Sequence, residues 1–363
     1  MRVHGVTAGP LFPDEGPRGR RLLRRTRGIA IEVVGLVLVT FLFPLLAATA
    51  LAVDLALWLK NGKPWVAIRL PAFGWWFLFA EARVLLAMLV IRLSTSYGSD
   101  RRRRRLYGLR IHWMSSHIGG IRVLFGVGFD VEGLDQSGPG PVLMLMRHAS
   151  MIDNALPDYT AGRAHGMGLR FVIKKELESL PVIDIGARWV PNFFVRRASD
   201  DPEAEAVQLR RLGENLGPDS REGILIYPEG TRCTASKLAR AKAAIAERQP
   251  ELSSRADRLN HVLPPRLSGP LALLDQTVRT DVVFCGHVGF DGLRGLGDIW
   301  RGSLVGTTIR VRFWRYPAAE IPESHDERVA WLYERWQVLD DWIGDQLDAP
   351  GAAADRAPAE QPV

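Results

Sequence analysis

The sequence predicts an α/β fold, a mixed sheet flanked by helices, preceded by an N-terminal membrane helix hairpin. Three observations carry this. Val33–Val53 runs without a charge, as long as the roughly 20 apolar residues that a bilayer core requires. Residues 70 to 91 form a second apolar stretch, broken only by Glu81 and Arg83. From about residue 106 onward, short apolar runs alternate with amphipathic stretches, the pattern of strands covered by helices.

Taken in order, the chain begins with a basic segment, residues 1–28, in which arginines crowd between Arg18 and Arg27. The hairpin follows at 29–93. Pro44 inside it is compatible with a membrane helix, and Trp75 and Trp76 suit the headgroup level. A second arginine cluster, "RRRRR", occupies 101–105. One crossing would put the two clusters on opposite faces of the bilayer, against the positive-inside bias. Two crossings, or a re-entrant pair, leave both clusters and everything beyond them in the cytoplasm, at the inner membrane of the cell. The second segment also has the composition of an interfacial helix. Strands are predicted at Val123–Phe129, Val142–Met146, Leu169–Ile173, Phe193–Val195, Ile224–Tyr227, Val282–Val288 and Thr308–Tyr316, where apolar runs are short. Helices are predicted at Ile152–Ala161, Pro202–Leu216 and Ser236–Glu247. Asp326–Leu347 repeats Val329, Leu332, Trp336, Leu339 and Ile343 at helical spacing, so it is an amphipathic helix with its tryptophans turned to the core. The soluble domain spans 106–348, and 349–363, short of large apolar groups, reads as a disordered tail.

Composition excludes several functions. Two cysteines, Cys233 and Cys285, make no C-x-x-C pair, so neither a disulfide framework nor a thiolate metal knuckle is expected. The histidines lack metal-ligand spacing, and no metal or bound cofactor is expected. No phosphate-binding glycine loop for a nucleoside triphosphate or dinucleotide occurs. The net charge of +7 points to an anionic partner. An apolar hairpin between the basic clusters favours anionic lipid over nucleic acid. A membrane-tethered basic binding protein without catalysis remains the alternative from another class.

Two stretches carry chemistry. In "MRHASMID", His148 follows the apolar run Val142–Met146 and precedes Asp153 by five residues. On one continuous helix that offset turns the side chains about 140° apart. They meet only if His148 sits in a turn before a helix that contains Asp153, a helix that Ser150 can cap. In "ILIYPEGTR" a strand runs into Glu229, Gly230, Thr231 and Arg232. Glycine permits close backbone approach to a ligand, and a hydroxyl beside a guanidinium can grip a phosphate.

Together, H-x4-D followed about 80 residues later by P-E-G-T-R resembles the glycerolipid acyltransferase family. The resemblance runs from about residue 120 to 320. "FVIKKELESLPVIDIGARWVPNFFVRR" is similar to the family's K-x-E-L segment and the F-x-x-R motif after it. "HVLPPRLSG", through Pro265, Arg266 and Gly269, resembles a block typical of lysocardiolipin and bacterial lysophosphatidate acyltransferases. The resemblance implies transfer of an acyl group from a thioester, coenzyme A or acyl carrier protein, to a lysophospholipid hydroxyl. The foremost acceptor is 1-acylglycerol-3-phosphate, with lysocardiolipin or another lysolipid as the alternative.

His148 is the implied general base and Asp153 the group that orients it, without an acyl-enzyme. Arg197, Glu229, Gly230, Thr231 and Arg232 are the implied acceptor-binding set, with Lys174 near the site. Glu229, being negative, is expected to orient an arginine or bind a glycerol hydroxyl. Arg147 and Arg196 stand where the family commonly has Asn and Asp. They imply two further cations near the phosphate and a strongly anionic acceptor. A lipid hydrolase shares the ester chemistry but needs a G-x-S-x-G elbow, which this chain lacks.

Overall fold

The computed structural model describes residues 16–195, 202–214, 216–217, 220–276, 280–291, 293 and 295–349. The tail beyond 349, the first fifteen residues, and Arg196 and Arg197 lie outside the described residues.

Among the described residues seven strands form one sheet: β1 Gly128–Glu132, β2 Val142–Met146, β3 Gly168–Lys174, β4 Phe193–Val195, β5 Glu222–Ile226, β6 Asp281–Val288 and β7 Thr308–Tyr316. Their spatial order is β1-β7-β6-β2-β5-β3-β4. Only β6 and β7 pair antiparallel, in the register Cys285 against Phe313; the other neighbours are parallel. The fold is therefore the mixed α/β sheet that the sequence predicts. Central β2 is buried at every position, so its side chains feed two cores by alternation. Leu143 and Leu145 join Trp331, Leu332, Trp336 and Ile343 of the C-terminal helix His325–Asp348 on one face. Met144 and Met146 join Ile121 and Phe125 on the other. The helical tryptophans are core, as expected: Trp336 is fully buried, and its indole N–H donates to the Leu263 carbonyl at 2.9 Å.

Two predicted elements take another form. Val123–Phe125 is the last turn of a helix, α3, Asp100–Phe125, and the strand begins only at Gly128. Gly126, at φ +72°, ends that helix, and its N–H donates to the Arg122 carbonyl, the left-handed stop that glycine adopts without strain. The "RRRRR" run is thus the opening of α3, where the Ser99 hydroxyl accepts the Arg102 N–H at 3.2 Å. The predicted helix Ile152–Ala161 is instead a 3₁₀ turn, Ile152–Ala155, and a wide π turn, Asp158–Gly162. Asp153 directs its carboxylate back to the preceding amides, and Pro157 offers no N–H, so no regular ladder forms there.

The N-terminal pair is α1, Arg18–Asn61, and α2, Arg69–Ser94. The hairpin therefore starts inside the basic segment. Asp54 of α1 closes the connection by accepting the N–H groups of Val66, Ala67 and Ile68 at 2.8 to 3.0 Å. The charges of α2 are answered mainly from α3. Glu81 accepts Trp113 Nε1 at 2.6 Å and contacts His117 Nε2 at 3.0 Å. By length and composition, α1 is the one helix among the described residues suited to crossing a membrane.

Both ends of this pair rest on the domain. Near its start α1 sends Arg24 and Arg25 to Asp184. Beyond its end, the Lys63 ammonium sits 4.0 Å from the Trp300 ring centre, and Pro64 abuts Gly302. Two crossings with the whole domain on one side would require the connecting loop at the far surface of the bilayer. That loop instead lies on the domain.

Candidate active site

Parallel pairing brings the C-terminal ends of β6, β2 and β5 side by side, the edge where open α/β sheets bind ligands. His148 leaves β2 there, with the Tyr227–Arg232 turn from β5 on one side and His287 of β6 on the other. The loop is stitched to its neighbour by the backbone. The His148 N–H donates to Glu229 Oε1 at 2.7 Å, and the Cys233 N–H donates to the His148 carbonyl at 3.2 Å.

Asp153 is fully buried. Its Oδ2 accepts the Ala149 and Ser150 N–H groups at 2.6 and 2.7 Å and faces His148 Nδ1 at 3.3 Å, and its Oδ1 accepts the Ser150 hydroxyl at 2.7 Å. Burial pushes this carboxyl up, but the His287 edge at 3.6 Å and the hydrogen bonds from His148 and Ser150 outweigh it. The group is held below the usual carboxylate range. An ionised carboxylate only accepts. The contact therefore places an imidazole N–H on Nδ1 and leaves Nε2 as the ring nitrogen not engaged by Asp153. The Tyr227 ring packs on the imidazole, centroids 4.6 Å apart. Histidine and aspartate thus meet through a turn, as their spacing requires.

Ser150 is no nucleophile here. It is fully buried, its hydroxyl donates to Asp153, and it accepts the Ile152 N–H at 3.0 Å. It closes a turn and does not cap a regular helix. Cys233 borders the loop, but burial pushes its thiol up to about 12, and Glu229 adds to the shift. Thiolate is the reactive form. Iodoacetamide should therefore label Cys233 far more slowly than free cysteine at pH 8; peptide mass spectrometry checks the rate.

Two expectations need correcting. Glu229 neither orients an arginine nor reaches outward: it is buried, and its two oxygens accept His148 N–H and, at 3.0 Å, Leu263 N–H. It braces the histidine loop to the "LPPR" segment. Burial raises its carboxyl to about 7 against the two amide hydrogen bonds. Arg147 is not a phosphate cation either. Its guanidinium is buried, pairs with Asp291 and donates to the His287 carbonyl at 2.6 Å. A charge already matched by a carboxylate adds little attraction for a ligand.

The remaining residues fall as follows. Gly230 has φ +65°, and a Cβ there would lie 2.8 Å from Arg266 Nε. The left-handed backbone of the turn calls for glycine, and any larger residue would also displace the Arg266 guanidinium beneath it. Thr231 and Arg232 are held by Lys237, whose ammonium donates to the Thr231 hydroxyl and the Arg232 carbonyl, both at 3.0 Å. Lys174 ends β3 on the same edge, with β5 between its strand and β2. Sequence reasoning missed Lys237, Tyr227 and His287 as site residues, and Arg266 as a neighbour of the turn. Lys237 had a signal, its place one helical turn past Thr234. His287 had none, because only strand order brings β6 beside β2.

The acyltransferase family model matches residues 128–250, which contain His148, Asp153 and the Glu229–Arg232 turn. This region is an acyltransferase-family domain. The acyltransferase domain also has curated relatives. The chain is 25% identical over 221 residues to mouse 1-acyl-sn-glycerol-3-phosphate acyltransferase epsilon, covering 58% of this chain and 59% of the relative. It therefore spans less than two thirds of that protein's length. It is 22% identical to lysophosphatidylinositol acyltransferase 10 of Caenorhabditis elegans, covering 76% of this chain and 72% of the relative. The crystal structure of the 1-acyl-sn-glycerophosphate acyltransferase PlsC from Thermotoga maritima aligns with a TM-score of 0.48 at 15% identity, over 75% of this chain and 90% of that one.

Proposed function

We propose that this protein acylates a lysophospholipid, foremost 1-acyl-sn-glycerol-3-phosphate to phosphatidate, using an acyl thioester. The observation that carries this reading is the buried Asp153 holding His148 Nδ1 beside the Gly230–Arg232 turn. Nε2 of His148 removes the proton from the acceptor hydroxyl as that oxygen attacks the thioester carbonyl. Asp153 steadies the resulting imidazolium. The carbon–sulfur bond then breaks, and the leaving thiolate takes the proton from Nε2. Ester and free thiol are the products, and no acyl-enzyme is needed. Arg232, Arg266 and Lys237 supply positive charge at the turn, which suits the acceptor's phosphate. Lys174, and Arg197 by the family resemblance, also bind the acceptor in this reading.

The membrane reading follows from α1 and α2. Phe41, Leu45, Leu86 and Leu93 are exposed at 82, 65, 62 and 78%. This apolar surface suits a bilayer, and the contacts of both ends of the pair with the domain favour the interface over a crossing. The flanking arginines favour the cytoplasmic leaflet of the inner membrane.

The deciding experiment supplies labelled acyl-CoA or acyl carrier protein and a panel of lysolipids to purified protein in vesicles. Lysophosphatidate should be the fastest acceptor, and the two donor arms identify the thioester. Equal rates with lysophosphatidylcholine would overturn the anionic preference, and faster lysocardiolipin would move the assignment to that acceptor. Arg232→Ala should raise the acceptor's KM by about tenfold, the loss of one charge-assisted contact, with the donor KM unchanged. An effect confined to the donor would refute the phosphate assignment.

A further inference from the structure

Arg83 sits in an unusual place. Phe79, Arg83, Leu86 and Val90 recur on α2 at helical spacing, so they share one face, and the three apolar members are 40, 62 and 55% exposed. A guanidinium in an exposed apolar stripe calls for a partner. Its Nη2 donates to the Ser116 hydroxyl at 3.3 Å, but its Nε is buried and makes no hydrogen bond among the described residues. The Ser115 hydroxyl is equally buried and unpartnered among them. Arg83 and Ser115 are among the residues lining a cleft of about 500 Å³ between α2 and α3, with Trp76, His112 and Arg163. Among the described residues no carboxylate lines it, and it shares none of them with the His148 site. Arg163 is exposed, its guanidinium 5.2 Å from the Tyr159 ring centre.

We propose that this cleft seats the phosphate of an anionic glycerophospholipid of the bilayer. The headgroup lies between the Arg83 and Arg163 guanidiniums and the Ser116 hydroxyl, and the acyl chains run along Phe79, Leu86 and Val90. Two guanidiniums and a hydroxyl match a phosphodiester, and a cleft of this size admits a glycerol headgroup. An apolar stripe continuous with the cationic cleft selects a lipid over free phosphate. The site is distinct from that of the reacting lysolipid and makes the enzyme a reader of leaflet charge. The inference rests on the interfacial reading of α1 and α2.

The test is native mass spectrometry of the full chain with short-chain phosphatidylglycerol or phosphatidylcholine, together with flotation on vesicles of each. Wild type should hold one phosphatidylglycerol. That adduct should persist in Arg232→Gln and in Arg101→Gln/Arg104→Gln, and weaken by about tenfold in Arg83→Gln/Arg163→Gln as two charged contacts are lost. Exposed Arg163→Glu should weaken it in the same direction without burdening the fold. Unchanged binding in both variants would overturn the proposal, as would displacement of the lipid by equimolar inorganic phosphate. Failure of the wild type to float on phosphatidylcholine would instead refute the interfacial reading itself. Flotation without any phosphatidylglycerol preference would remove the cleft proposal alone.

Discussion

His148→Ala should lower kcat for acyl transfer by about 10³-fold, within the range of general-base contributions, while the protein stays folded. In the proposed mechanism the variant deletes the group that takes the acceptor's proton. Asp153 cannot replace it: it is fully buried, and the Ala149 and Ser150 amides and the Ser150 hydroxyl still occupy its oxygens. Ser150 cannot, because its hydroxyl already donates to Asp153. Cys233 cannot, because its thiol is pushed up to about 12. A 10³-fold loss corresponds to about 4 kcal/mol of transition-state stabilisation. The acceptor's KM should change little, since the imidazole acts on the proton and the cationic turn on the phosphate. Far-UV circular dichroism and vesicle flotation should match the wild type. Turnover above a tenth of the wild-type rate, with the fold intact, would end the general-base assignment.

The sequence exposed the parts of this site that lie on one strand end. His148 and Asp153 are near in the chain, and a buried strand followed by a turn leaves few ways to place them. The Gly230–Arg232 turn was legible for the same reason. Residues whose roles depend on strand order were not. His287 reaches Asp153 because β6 pairs with β2, at a separation of more than a hundred positions. Asp291 neutralises Arg147 by the same route, and no local pattern marks either. Glu229 was misread because a carboxylate in a polar turn looks like a ligand contact, whereas burial makes it an acceptor for backbone amides. The long helix α3 was masked by its arginines. Leu106, Trp113, Ile118, Ile121 and Phe125 are buried along it, but its polar opening breaks the apolar pattern.

Glu229→Gln tests the bracing role and separates it from ligand binding. The carboxylate serves two buried N–H groups, of His148 and Leu263. An amide has one acceptor oxygen, so its NH₂ must confront one of those donors. The unsatisfied pair should cost about 1–3 kcal/mol of stability. The histidine loop, no longer pinned to the "LPPR" segment, should lose kcat by about tenfold, as small displacements of a catalytic group do, with the acceptor's KM unchanged.

The variant should also flatten the pH profile of stability. A carboxyl raised from 4.5 to about 7 by burial favours the fold while it is protonated. That contribution is complete below about pH 4.5 and is lost as pH rises through 7. Wild type should therefore weaken between those values, and glutamine, which does not ionise, should remove that slope. Urea melts at pH 5 and pH 8 check the sign. A raised acceptor KM with unchanged kcat would make Glu229 a substrate contact after all, and the brace between its two loops would have to be abandoned.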